Sequence, residues 1–142
     1  VPADCTVRVQ TARDGAYVVF GQQVLQILDT PGHTAHCVSY LWRDRLFCGD
    51  AFDLGSCADA GEDADPGLMF DTLSGRLFQL PGSTLLFPAH PLGGRRVALL
   101  GEQRLRNASL LTGSRDAFIT EMLSRRTTAQ RRARPSSATR RH

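Results

Sequence analysis

A chain of 142 residues with 42% hydrophobic and 22% charged residues has the composition of one modest globular domain with its own core. No apolar run is long enough to span a bilayer, and no secretory signal pattern opens the chain. The composition therefore predicts a soluble globular protein.

The net charge of +3 combines two regions of opposite sign. Seven of the 17 basic residues lie in residues 125–142, which contain no acid, so residues 1–124 hold ten basic residues against 14 acidic ones. We predict a folded acidic domain over 1–124 and a disordered arginine-rich tail over 125–142. The tail lacks aromatic residues for stacking on bases, so we expect no specific nucleic-acid partner and no membrane partner.

The four cysteines show no C-x-x-C pairing. Two of them, Cys37 and Cys48, lie inside apolar strand patterns, where buried free thiols are common. Free thiols favour a reducing compartment, and we expect a cytoplasmic protein.

The first half of the chain reads as short strands joined by tight turns. Alternating or apolar β-rich runs are bounded by turn dipeptides such as Asp14-Gly15 and Arg43-Asp44. The short connections indicate an antiparallel meander. Strands are predicted over residues 6–10, 16–20, 24–28, 37–42 and 46–48.

The second half alternates helices with one strand. A long irregular stretch covers residues 53–66, and a loop of that length is usually functional or mobile. Beyond Arg126 the chain has no apolar periodicity, and we expect disorder there. Helices are predicted over residues 66–80, 97–105 and 114–123, and a buried strand over 84–87.

Three polar side chains each follow an apolar strand. His33 ends a Thr-Pro-Gly-His turn, Asp50 follows the strand at 46–48, and His90 follows the strand at 84–87. A sheet can bring all three to one edge, and this mixture of nitrogen and oxygen donors suits zinc or ferrous iron. The sequence therefore predicts a metal site built from His33, Asp50 and His90.

Several motifs, taken in order and spacing, resemble the later motifs of the metallo-β-lactamase fold. Within that superfamily they are most similar to the persulfide dioxygenase and glyoxalase II branch. The resemblance covers roughly residues 5–124 and is specific as a series. Its motifs are Thr30-Pro-Gly-His33-Thr34, Val38-Ser-Tyr40, Phe47-Cys-Gly-Asp50-Ala51, Leu86-Phe-Pro-Ala-His90, Gly101-Glu-Gln-Arg104-Leu-Arg-Asn107 and Ala117-Phe-Ile-Thr-Glu-Met-Leu123.

The resemblance implies an α/β (α+β) fold, an αββα sandwich represented mainly by its second half, with the metal at the sheet edges. In the dioxygenases one ferrous iron is held by two histidines and an aspartate, and glutathione persulfide is oxidised. His33 and Asp50 would be two of those ligands. In the glyoxalase II branch two zinc ions are bound, Asp50 would bridge them, and His90 would bind the second.

The chain departs from the family pattern in three places. The H-x-H-x-D-H motif, which belongs upstream of His33, is absent from the 142 residues. We therefore expect a truncated site that binds metal poorly, and the resemblance leaves the chain's own catalysis undecided. Residues 58–65 are acidic where the dioxygenases carry an arginine, and Pro91-Leu92 replaces an Asp-Tyr pair.

The leading interpretation is a metal-dependent persulfide dioxygenase-like protein acting on a small glutathione-type substrate. One alternative is a glyoxalase II-like thioester hydrolase (hydroxyacylglutathione hydrolase). Another is a non-catalytic remnant or binding module. A half-sandwich leaves a sheet face and edge uncovered, so we also expect self-association through the exposed sheet.

Overall fold

The structure is a computed structural model that describes residues 11, 13–54, 63–91, 93–107 and 113–133. A six-stranded sheet forms its centre, and the strands lie side by side in chain order. Strands β4 and β5 pair in parallel, and every other neighbouring pair is antiparallel. The strands are β1 (Tyr17–Phe20), β2 (Gln23–Asp29), β3 (Val38–Trp42), β4 (Arg45–Gly49), β5 (Leu85–Pro88) and β6 (Ala98–Leu99).

Among the described residues, three α-helices and one turn of 3-10 helix accompany the sheet. They are α1 (Pro66–Gly75), the 3-10 turn (Leu77–Gln79), α2 (Leu100–Arg106) and α3 (Arg115–Ala133). Helix α1 begins sharply because the Asp65 carboxylate accepts hydrogen bonds from the amides of Gly67 and Leu68, at 2.8 and 3.0 Å. Pro66 occupies its first turn, where a missing N–H costs nothing.

One face of the sheet forms the core with the helices. Four side chains of β4, β5 and β6 point to that face, and each of them is less than 5% exposed. They pack in a single cluster against side chains from α1, α2 and α3. The sheet contributes Leu46, Cys48, Leu86 and Ala98, and the helices contribute Met69, Leu73, Leu100, Phe118 and Met122.

The opposite face and the β1 edge carry exposed apolar side chains. Phe47 stacks on Phe87 of the neighbouring strand, with ring centroids 5.1 Å apart, and remains 38% exposed. All four residues of β1 are exposed, including Val19 at 69%. Within the described ranges no helix of the core cluster covers this second face.

The mixed sheet with packed helices confirms the α+β class and the predicted strands that lie in the described ranges. The strand expected over 6–10 lies outside them. The helix predicted over 66–80 was wrong beyond Gly75, where Arg76 leaves helical geometry at φ −126° and ψ −69°. The helix predicted over 97–105 starts only at Leu100, because residues 98 and 99 pair with β5.

The end predicted for the last helix was also wrong. Helix α3 continues to Ala133, so residues 125–133, expected to be disordered, are helical. Side-chain hydroxyls in this part bond backwards along the helix, as from Thr127 to the Leu123 carbonyl at 3.0 Å. Residues 134–142 lie outside the described ranges, and the division into a domain over 1–124 and a tail stays a prediction.

Candidate metal centre

The topology of the sheet places the three predicted ligand positions at one edge. Strands β2 and β4 both run antiparallel to β3 and therefore point the same way, and β5 runs parallel to β4. His33 follows β2, Asp50 follows β4 and His90 follows β5. All three therefore lie beyond the carboxyl ends of strands at the same edge, with β3 between the strands that lead to His33 and Asp50.

The turn that carries His33 is fixed by backbone and side-chain bonds. The Thr30 amide donates to the Cys37 carbonyl at 2.8 Å, and the fully buried Thr30 hydroxyl lies 2.9 Å from the Ser39 hydroxyl. Gly32 adopts φ +146°, which side-chain-bearing residues rarely adopt. The sequence Thr-Pro-Gly-His therefore folds as the turn it predicts, with a half-buried His33 at its end.

Cys37 is the side-chain neighbour of His33 that sequence reasoning missed. Its sulfur lies 3.9 Å from His33 Nδ1 and 3.1 Å from the Thr34 hydroxyl. Cys37 follows His33 by four residues in the sequence and directly precedes β3. Its position in an apolar strand pattern had suggested only packing.

Asp50 and His90 are in direct contact. His90 Nε2 lies 3.1 Å from Asp50 Oδ1, and the two side chains are 73% and 34% exposed, respectively. The chain reaches this pair through Gly49, which has φ +54°, at a register shift in the β4–β5 ladder. The Ala89 amide donates to the Gly49 carbonyl at 3.1 Å, which holds the ends of the two strands together.

The distance within this pair fits two ligands of one metal ion. Ligands bound at about 2.1 Å in tetrahedral or octahedral geometry lie about 3.0–3.4 Å from each other. Asp50 and His90 meet that condition as they stand. Their oxygen and nitrogen donors suit zinc and ferrous iron.

A complete ligand set is not present among the residues that the structure describes. Within those ranges no three His, Cys, Asp or Glu side chains form a group that could hold a metal ion. The structure brings Asp50 and His90 together and leaves His33 at the same edge without joining them in one group. These residues therefore fit part of a metal shell, and the assignment of the three as ligands stays a prediction.

Cys48 is close in sequence to Asp50 but is poorly suited to metal binding. Burial raises the pKa of its thiol to about 12, and the sulfur donates to the Phe52 carbonyl at 3.4 Å. Metals bind the thiolate form, which this environment suppresses. Cys48 is therefore a packing residue.

A cleft lies on the other side of the His33 turn, between the end of β2 and helix α1. It has a volume of about 260 Å³ and contains both charged and apolar side chains. Arg76 at its rim binds Asp14, with Nη2 and Oδ2 2.8 Å apart, and this bond lowers the Asp14 pKa to about 2. The lining residues are Asp29, Pro31, Leu68, Asp71, Thr72 and Arg76.

Some features named from the sequence fall outside the described ranges, including most of the acidic stretch 58–65 and Leu92. None of the helices described combines the length and apolar character needed to cross a membrane.

Comparison with known proteins gives related proteins for most of the chain. No family model matches the sequence. Over 112 residues the chain is 31% identical to the mitochondrial persulfide dioxygenase ETHE1 of Bos taurus, which covers 77% of this chain and 44% of the relative. Over 66 residues it is 44% identical to a hydroxyacylglutathione hydrolase of Shewanella baltica, which covers 46% of this chain and 24% of the relative.

Solved structures are similar to this chain in the same way as the sequence relatives. The crystal structure of ETHE1 from Myxococcus xanthus superposes with a TM-score of 0.73 at 34% identity, covering 88% of this chain and 53% of that one. The chain therefore belongs to the metallo-β-lactamase-fold superfamily. Within it, the chain belongs to the branch of the ETHE1-type persulfide dioxygenases and the glyoxalase II hydrolases. It spans about half the length, or less, of the relatives it matches.

Proposed function

We propose that the protein containing this chain is a metal-dependent persulfide dioxygenase acting on a small glutathione-type persulfide. The observation that carries the proposal is the extent of the similarity. Persulfide dioxygenases match 77% of the chain in sequence and 88% in structure, whereas the hydrolase of Shewanella baltica matches 46%. Similarity to the dioxygenases therefore extends over elements that the match to the hydrolase does not reach.

In this proposal His33 and Asp50 would hold ferrous iron, and His90 would lie beside Asp50 at the substrate side. Iron, when bound, supplies the activation of oxygen. The contact between His90 Nε2 and Asp50 Oδ1 orients the carboxylate, and a ligand that is held by such a neighbour keeps its geometry.

The same contact supports a second candidate, a zinc-dependent thioester hydrolase. There Asp50 and His90 would both hold zinc, and they would share one ion. Their separation of 3.1 Å meets that requirement. Metal ions in such a site lower the pKa of bound water and supply a hydroxide nucleophile.

Two further features of the protein are part of the proposal. The free thiols of Cys37 and Cys48 suit a reducing compartment such as the cytoplasm. The exposed β1 edge and the uncovered face around Phe47 suit self-association of the chain.

The test uses the whole protein that the natural gene encodes. It is purified without oxygen and loaded with either Fe²⁺ or Zn²⁺. We expect oxygen uptake with glutathione persulfide in the iron form and no thioester hydrolysis in the zinc form. Asp50→Asn and His33→Ala should each abolish uptake, whereas the matched change His36→Ala on an exposed neighbour should leave it intact.

The possible outcomes separate the candidate functions. Thioester hydrolysis without oxygen uptake would favour the hydrolase. Neither activity, together with a metal content that does not change in Asp50→Asn, would favour a non-catalytic binding module.

A further inference from the structure

Helix α1 is hydrogen-bonded to the turn that precedes His33 through two consecutive carbonyl groups of that turn, those of Pro31 and Gly32. The Thr72 hydroxyl donates to the Pro31 carbonyl at 2.6 Å, across 41 positions of sequence. The Asp65 amide, at the start of the same helix, donates to the Gly32 carbonyl at 2.8 Å. The two peptide groups that immediately precede His33 are therefore both bonded to one rigid element.

Close packing reinforces these bonds. A Cβ atom on Gly32 would lie 2.6 Å from the Cα of Met69, so the turn and the helix backbone are already in contact at this point. Met69 is itself 1% exposed and belongs to the core. The turn therefore cannot move towards the helix, and the hydrogen bonds keep it from moving away.

Thr72 is an unusual residue for its position. It is 5% exposed, between Asp71 and Leu73, on a helix whose other buried side chains are apolar. A buried hydroxyl without a partner costs free energy, and the Pro31 carbonyl supplies that partner. Valine would fill the same space without this cost, so packing alone does not account for a threonine here.

We infer that Thr72 is a positioning residue for the metal centre: its bond to the Pro31 carbonyl fixes the turn that presents His33. The inference rests on the proposed function, because it assigns His33 to metal binding. In this role Thr72 orients His33 and does not itself contact the metal or the substrate.

Three variants test the bond. Thr72→Val keeps the shape and removes the donor, Thr72→Ser keeps the donor, and Ser74→Ala is the matched control. Ser74 lies on the same helix, and its hydroxyl donates to the Phe70 carbonyl at 2.7 Å and not to the turn. Amide hydrogen exchange is followed residue by residue by NMR.

We expect Thr72→Val to speed exchange at the amides of Gly32 and Asp65 about tenfold relative to the rest of the chain. Thr72→Ser should stay within about twofold of wild type, since it retains the bond. Ser74→Ala should change α1 without a selective effect on the turn. Equal exchange of the two amides in Thr72→Val and wild type would overturn the inference.

Co²⁺ alone is the probe for the link to the metal centre. It is titrated into the same whole protein that the activity test uses and is followed by its visible absorption. We expect Thr72→Val to weaken Co²⁺ binding about tenfold and Thr72→Ser to restore it, as for other residues that orient a ligand. An unchanged Co²⁺ affinity in Thr72→Val, or no Co²⁺ binding in wild type, would overturn the positioning role.

The remaining outcomes keep the two proposals apart. Absence of oxygen uptake in wild type would defeat the proposed function while the Co²⁺ comparison, made without substrate, would still decide the role of Thr72. If Thr72→Val does not fold, amide exchange in the wild-type protein alone tests whether the turn is held by α1. The amides of Gly32 and Asp65 should then be as protected as the interior of α1, and faster exchange there would refute the bond.

Discussion

Replacing Gly32 by alanine should destabilise the chain strongly, whereas the same replacement at Gly75 should stabilise it. The two sites differ in backbone and surroundings. Gly32 has φ +146°, and its added Cβ would lie 2.6 Å from the Met69 Cα and 2.9 Å from the Met69 nitrogen. Gly75 ends α1, and an added Cβ there would meet nothing within 4 Å.

The size of each effect follows from these distances. At Gly32 the positive φ costs an alanine about 1–2 kcal/mol, and overpacking adds about 1–3 kcal/mol because helix backbone cannot yield as a side chain can. The expected loss is therefore about 2–5 kcal/mol, a large part of the ~5–15 kcal/mol by which domains are stable. At Gly75 alanine should add about 0.5–1 kcal/mol, through helix propensity and a less flexible unfolded chain.

Urea denaturation measures both changes, followed by far-ultraviolet circular dichroism and by the fluorescence of the single tryptophan, Trp42. With a slope of about 2 kcal/mol per molar urea, the middle of the usual range, Gly32→Ala should lower the midpoint by about 1–2.5 M. A free energy of unfolding for Gly32→Ala within about 0.5 kcal/mol of wild type would refute the close approach of the turn to α1.

Four other predictions concern charge, thiol chemistry, packing and association. Because the Asp14 pKa is about 2, its pair with Arg76 stabilises the fold above pH 4 and is lost as the pH falls towards 2. Asp14 is substantially exposed and screened, so Asp14→Asn should cost less than about 1 kcal/mol at pH 7 and almost nothing at pH 2, by urea denaturation at both values. Cys48, with a pKa of about 12, should resist iodoacetamide at pH 8 in the native chain and react after unfolding. Mass spectrometry of the peptide that contains Cys48 measures the labelling, and rapid labelling of the native chain would contradict the burial of this thiol. Phe52→Ala should cost about 3–5 kcal/mol, because the ring is 1% exposed, and a loss below 1 kcal/mol in calorimetry would contradict that packing. Val19→Lys places a charge on the exposed edge strand and should weaken self-association in sedimentation velocity, whereas unchanged association would exclude this edge.

The strands could be predicted from sequence because their signals are local. Two-residue turns such as Arg43-Asp44 join β3 to β4, and the alternation of buried and exposed residues follows directly from the pleat. The turn at Pro31 and Gly32 likewise has a local signal, because proline presets φ and glycine permits a positive φ. Features that depend on residues a few positions apart are thus readable without a structure.

The errors occurred where contacts between distant parts of the chain determine the secondary structure. Residues 98 and 99 fit a helical pattern, but pairing with β5 takes them into the sheet. Helix α3 persists past its last apolar turn, and Arg126, within that stretch, donates to the Ala64 carbonyl at 2.9 Å across 62 positions. Neither contact leaves a periodic signature, so neither could be read from the sequence.

The candidate site shows the same division. Strand order brings Asp50 and His90 into contact because β4 and β5 are neighbours, but β3 separates β2 from β4. Two strand spacings amount to about 9–10 Å, so His33 and Asp50 can serve one ion only if their side chains lean towards each other above the end of β3. The direction of the His33 side chain is set by the backbone of its turn, and the bonds from Thr72 and the Asp65 amide fix that backbone. The sequence could identify the ligand candidates, but how far they converge depends on helix α1. That helix follows Asp50 along the chain and holds the turn before His33 by hydrogen bonds to the Pro31 and Gly32 carbonyls.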